Sequence, residues 1–98
     1  MELVISTKIH GDSNLSEYVD LIKDDSGEFH LSRTIQGWKR ISGIEKTWDT
    51  LLKHNYYVDK TVVPLIYYIL STNPQQLDLV FEFLYRENFI EYEEEEGS

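Results

Sequence analysis

Between Phe29 and Gly37 the side chains alternate with a period of two. Phe29, Leu31, Arg33 and Ile35 fall on one side, and His30, Ser32, Thr34 and Gln36 fall on the other. Only an extended strand sends alternate residues to opposite faces. An apolar face backed by a polar one suits an antiparallel sheet with one side on a core. The same period runs through residues 2–9, where Leu3, Ile5, Thr7 and Ile9 oppose Val4, Ser6 and Lys8. Tyr18 to Lys23, rich in Val, Ile and Tyr, reads as a strand between these two. The punctuation agrees. Gly11-Asp12-Ser13-Asn14 and Asp24-Asp25-Ser26-Gly27 are dense turn signals, and Gly27 can take the positive φ that a short hairpin loop requires.

The period changes at Ile41. Ile41, Ile44, Trp48, Leu51 and Leu52 make one helical stripe, Ser42 and Glu45 have the spacing of a capping box, and Asp49 and Lys53 are an i,i+4 pair. This predicts a helix from Ile41 to about Asn55 with Trp48 as a core anchor. A second helix is predicted from Asp59 or Thr61, with Pro64 in its first turn and Val62, Leu65, Ile66, Ile69 and Leu70 as its stripe, a strand being the alternative for so continuous an apolar run. A third starts at Asn73-Pro74 and carries Leu77, Val80, Phe81, Leu84 and Asn88. Phe89 to Tyr92 has room for a short strand. The expected class is α+β: an N-terminal three-stranded antiparallel β-meander, three helices and a short C-terminal strand. Residues 1–92 are expected to form one globular domain and residues 93–98 an acidic flexible tail.

The chemistry is sparse. There is no cysteine, hence no disulfide framework, thiol nucleophile or Cys-ligated metal. His10, His30 and His54 stand alone in their segments, without metal-ligand spacing. His30 and Ser32 sit two apart on one strand face, roughly 6.6 Å at the usual rise and too far for a nucleophile–base pair. Neither Asp-rich turn fits a calcium loop, since the required glycine and bidentate glutamate are displaced. No enzyme, cofactor or metal is expected. The longest apolar run, Val62 to Leu70, is too short to cross a bilayer, and no leader pattern is visible at the N-terminus, so a cytoplasmic protein is expected.

Charge supplies the functional expectation. Residues 1–60 carry ten acids and eight bases, whereas residues 61–98 carry eight acids and one base, Arg86. The net of −9 is thus concentrated in the second part. Such a field repels phosphate backbones and anionic lipid and favours a basic protein partner. The predicted third helix carries Asp78, Glu82 and Glu87, the wrong sign for reading a nucleic-acid groove. Alanine is absent, and residues with AT-rich codons dominate, which points to an AT-rich genome such as that of a low-GC bacterium, its phage or another virus. The expected function is a small acidic non-enzymatic protein-binding module, an inhibitor, antitoxin, immunity or phage anti-defence protein that covers a basic surface of a larger partner. Its expected interface is Asp78, Leu79, Glu82, Phe83, Glu87 and Glu91, where an apolar centre meets an acidic rim. The polar sheet face around Asp20, Asp24 and Glu28 is the alternative, and a homodimer is a further option. The competing expectation is a nucleic-acid-associated regulator built on the basic region Arg33, Lys39, Arg40, Lys46 and Lys53, with Trp38 and Trp48 interleaved.

Overall fold

A computed structural model describes residues 1–41, 43 and 45–93. Five strands form one antiparallel sheet in the order β1-β2-β3-β4-β5. They are β1 (Glu2–Gly11), β2 (Leu15–Lys23), β3 (Phe29–Ile41), β4 (Glu45–Val58) and β5 (Ile90–Glu93). Between β4 and β5 the chain makes two helices, α1 (Val63–Thr72) and α2 (Leu77–Arg86), each entered through a single 3-10 turn. The class is α+β, with four strands before the helices and two helices instead of three.

The turns follow from their residues. In the β2–β3 turn, Asp24 Oδ1 accepts the Ser26 N–H at 2.9 Å and the Glu28 N–H at 3.0 Å, and Gly27 takes φ 88°. A β-branched residue is strained there. Gly27→Val should therefore lower stability by about 1 kcal/mol or more. An unchanged thermal midpoint would contradict this geometry.

The helix predicted over 41–55 is instead β4. Its residues pair with β3 from Ile41↔Glu45 through Trp38↔Trp48 to Phe29↔Val58. Trp48, Thr50, Tyr56, Tyr57 and Val58 favour a pleated strand. A bulge at Leu51 hides the alternation, because Ile35 pairs Leu52 while Gln36 pairs Thr50. One extra residue reverses the parity on either side of it, and the remainder imitates a helical stripe. Asp49 and Lys53 are consequently not an i,i+4 pair, and Ser42 of the expected capping box lies outside the described residues. β5 pairs only Asn55 to Val58, which leaves the rest of β4 as an edge. The bulge and the exposed Lys46 and Lys53 are devices that keep such an edge from pairing with other chains.

The other boundaries lie close to their signals. Asp59 caps the turn into α1, its Oδ1 accepting the Thr61 N–H at 2.9 Å, and Pro64 sits in the first turn. Pro74 opens the turn into α2. Asn88, expected on the apolar stripe, instead takes φ 66° and ends that helix. Glu93, expected in the tail, is the last residue of β5, and residues 94–98 lie outside the described residues.

Both helices cover one sheet face. Ile9, Val19, Leu21, Leu31, Val58 and Ile90 from the strands meet Val62, Ile66, Ile69, Leu70, Leu77 and Leu84 from the helical layer. The opposite sheet face carries no layer among the described residues.

Candidate functional site

Three surfaces hold side chains not consumed by the core. The first is the outer side of α2. Leu77 and Leu84 point inward and are buried, which turns Leu79 and Phe83 outward as an i,i+4 ridge. Leu79 is 81% exposed and Phe83 56%. Glu82 lies beside the ridge and meets Arg86 at 3.5 Å, and Glu87 is exposed at the helix end. Leu65, Tyr67 and Tyr68 of α1 and Tyr85 of α2 add further exposed apolar area to the layer.

Two members of the expected set lie elsewhere. Asp78 turns toward the sheet, where it accepts from Arg33 Nη2 at 2.7 Å. Glu91 sits on β5 opposite Tyr57, which assigns it to the open sheet face. Leu79, Glu82, Phe83 and Glu87 therefore form one surface without these two.

The second surface is the acidic end of the open sheet face. His30 Nε2 lies 2.7 Å from Asp24 Oδ2, and its Nδ1 lies 3.3 Å from Glu93 Oε2. The ring is 5.0 Å from that of Tyr57. Burial alone would lower the His30 pKa, but the hydrogen bonds and charges of Asp24 and Glu93 outweigh it and hold it above the usual 6.5. The hydrogen bond from His30, together with those from Ser26 and Glu28, holds the Asp24 carboxyl far below its usual range. The proximity of Glu93 raises the Tyr57 pKa. Asp24, Glu28 and His30 each offer one ligand atom within 4.8 Å of the others. Both ring nitrogens already face carboxylates, so the group works as a clamp joining the β2–β3 turn to β5. Asp20, the remaining member of the alternative interface, accepts from Ser6 Oγ at 2.5 Å further along the open face.

This clamp has a pH window. A raised histidine pKa stabilises fully below 6.5 and is lost as pH rises through the folded value. A lowered aspartate pKa stabilises fully above 3.8 and is lost on further acidification. The thermal midpoint should therefore fall between about pH 6 and pH 8. His30→Gln should flatten that fall. An equal slope in both proteins would remove the clamp from the account.

The third surface is the ribbon end of the same open face. β3 and β4 continue past Leu15↔Gly37, the last pair between β2 and β3, as a two-stranded ribbon. Trp38 lies opposite Trp48 and Arg40 opposite Lys46. Beyond the bulge, Lys53 shares that face, opposite Thr34. Trp48 is therefore a surface residue and not a core anchor; it is 37% exposed. Of the basic set, Arg40 and Lys46 face each other, and Lys53 shares their sheet face further along. Lys39, opposite Thr47, points to the reverse side, and Arg33 lies under α2, bound to Glu17 and Asp78. The sequence holds one signal for this pairing. Residues 38 and 48, and 40 and 46, are spaced symmetrically about Gly43, whose φ is 75°.

His10 approaches only Glu17, at 3.9 Å, and His54 Nδ1 lies 3.4 Å from Tyr92 Oη. No helix of the described residues is long and apolar enough to cross a membrane. Compared with known protein families, curated proteins and solved structures, the chain matches none.

Proposed function

We propose that the protein acts by binding and not by catalysis, and that the outer side of α2 is its docking surface for a basic protein. The exposed Leu79–Phe83 ridge beside Glu82 and Glu87 carries this reading. Two large apolar side chains held in water by a rigid helix are costly to solvate, and a partner that covers them recovers hydrophobic free energy. The charge around them selects the partner, since residues 61–98 hold one base against eight acids. An acidic rim on an apolar centre complements a basic surface and speeds association with it. An inhibitor, antitoxin, immunity or anti-defence protein of a low-GC bacterium or phage works in this way, by occluding a functional basic surface such as one that holds nucleic acid.

Affinity capture with two baits tests the reading. Leu79→Ser/Phe83→Ser removes the ridge at positions where burial contributes little, so its thermal midpoint should match the wild type. The wild type should retain a basic protein from the host lysate that the double variant loses. Retention of the same proteins by both baits would remove α2 as the interface.

A further inference from the structure

We propose that the ribbon end of the open sheet face binds single-stranded nucleic acid, with Trp38 and Trp48 stacking on bases and Arg40, Lys46 and Lys53 meeting phosphates. The indole rings are in edge contact, with centroids 5.2 Å apart and planes at 82°. Trp38 Nε1–H donates to the Ser13 carbonyl at 2.9 Å, and Trp48 Nε1–H donates to Gln36 Oε1 at 3.2 Å. Both polar ends are thus satisfied within the protein. What the rings offer a ligand is aromatic surface, and Trp38 is 49% exposed.

The cations are placed around that surface. Arg40 and Lys46 face each other one step beyond the tryptophans, and like charges directly opposite in a ladder repel. Neither has an ion-pair partner among the described side chains, which do not include that of Glu45; Arg40 Nη1 donates to the Gly43 carbonyl at 3.4 Å. An anion between them would relieve the repulsion. On the other side of the rings lies a shallow depression of about 310 Å³ lined by Ser6, Tyr18, Asp20, Thr34, Gln36, Thr50 and Lys53. Its hydroxyls and amide suit base edges and sugars.

The net charge of −9 does not decide the matter locally. His30, with its carboxylates, is eight residues from Trp38 along β3, about 26 Å at the usual rise. For the tryptophans that is more than three Debye lengths at physiological salt, where one length is about 8 Å, while Lys53, opposite Thr34, lies about 13 Å from His30 and feels more of that field. The α2 acids lie behind the sheet. Asp20 lines the depression and Asp12 adjoins Ser13, the partner of Trp38, while Asp49, opposite Gly37, belongs to the reverse side. Stacking needs unpaired bases, which favours a single strand over a duplex. An acidic peptide would use the cations and leave the ring faces idle.

Both tryptophans of the chain lie in this site, so tryptophan emission, excited selectively over the seven tyrosines, reports on it. The wild-type protein is titrated with oligothymidylate of about 15 nucleotides, with the matching duplex, and with an oligoglutamate peptide of equal charge. Single-stranded DNA should quench the emission. Three phosphate contacts give a salt slope of about −2, so affinity should fall about 20-fold between roughly 50 and 200 mM salt. Arg40→Gln/Lys46→Gln, which alters only exposed side chains and relieves their repulsion, should weaken binding about tenfold or more at a thermal midpoint no lower than that of the wild type. No quenching at roughly 50 mM salt with about 100 μM oligonucleotide would overturn the proposal. Equal quenching by oligoglutamate would also overturn it and make the ribbon a dock for acidic protein. No residue of α2 takes part, so this test can fail or succeed independently of the α2 interface.

Discussion

Truncating Leu21 or Ile66 to alanine should destabilise the protein by about 2–5 kcal/mol, whereas Trp48→Ala should cost only about 1 kcal/mol. Leu21 and Ile66 are fully buried, one from β2 and one from α1. Removing either leaves a cavity between the two layers, in addition to the lost transfer free energy. Trp48 keeps more than a third of its surface in water and loses chiefly its contact with Trp38 and one hydrogen bond to Gln36. The order is the reverse of what a helix over 41–55 would give, since there the tryptophan holds the core. Denaturant midpoints followed by far-ultraviolet circular dichroism measure it without relying on tryptophan emission. A loss of about 3 kcal/mol or more in Trp48→Ala, at the cost of a core truncation, would restore the helical reading.

Arg33→Met should cost about 2–4 kcal/mol, the largest effect expected of any polar side chain here. Its Nη2 donates to Glu17 Oε1 and Asp78 Oδ1, each at 2.7 Å, and the guanidinium lies 5.0 Å from the centre of the Phe81 ring. The side chains of Arg33 and Glu17 are 20% and 13% exposed, so the variant strands a largely buried carboxylate. Asp78 is 57% exposed, and water screens its share. The same contacts tie α2 to the sheet. Replacing both buried partners, in Arg33→Met/Glu17→Gln, should recover much of the loss, because no unpaired charge remains. Equal stability of wild type and Arg33→Met would show that the pair contributes nothing net.

The parts of this fold that can be read from the sequence are those where one residue type has one local meaning. Asp24 to Gly27 makes a turn because aspartate accepts from nearby N–H groups and glycine tolerates positive φ. Pro74 opens the entry to α2 because a first-turn residue needs no N–H. Leu77 and Leu84 face the core as their spacing requires. β4 is hidden by the bulge at Leu51, which shifts the period halfway along the strand. The displacement of Trp48 follows from that residue, whereas Arg33 parts from Arg40 by the parity of β3 itself, seven residues along one strand. The α2 ridge is legible because Leu79 and Phe83 lie off the stripe, but the capture of Asp78 by Arg33 depends on a contact 45 residues apart in sequence. The link between His30 and Glu93 spans 63 residues and has no local signal.

The proposed docking role of α2 stands on the Leu79–Phe83 ridge and the acids beside it. Calorimetric titration of the captured basic partner into three proteins tests it most directly: wild type, Leu79→Ser/Phe83→Ser and Arg40→Gln/Lys46→Gln. The ridge variant should lose affinity about 100-fold or more, as when two central interface residues are removed, with its thermal midpoint unchanged. The ribbon variant should bind that partner like the wild type. Full affinity in the ridge variant, or a loss confined to the ribbon variant, would contradict the docking role of α2.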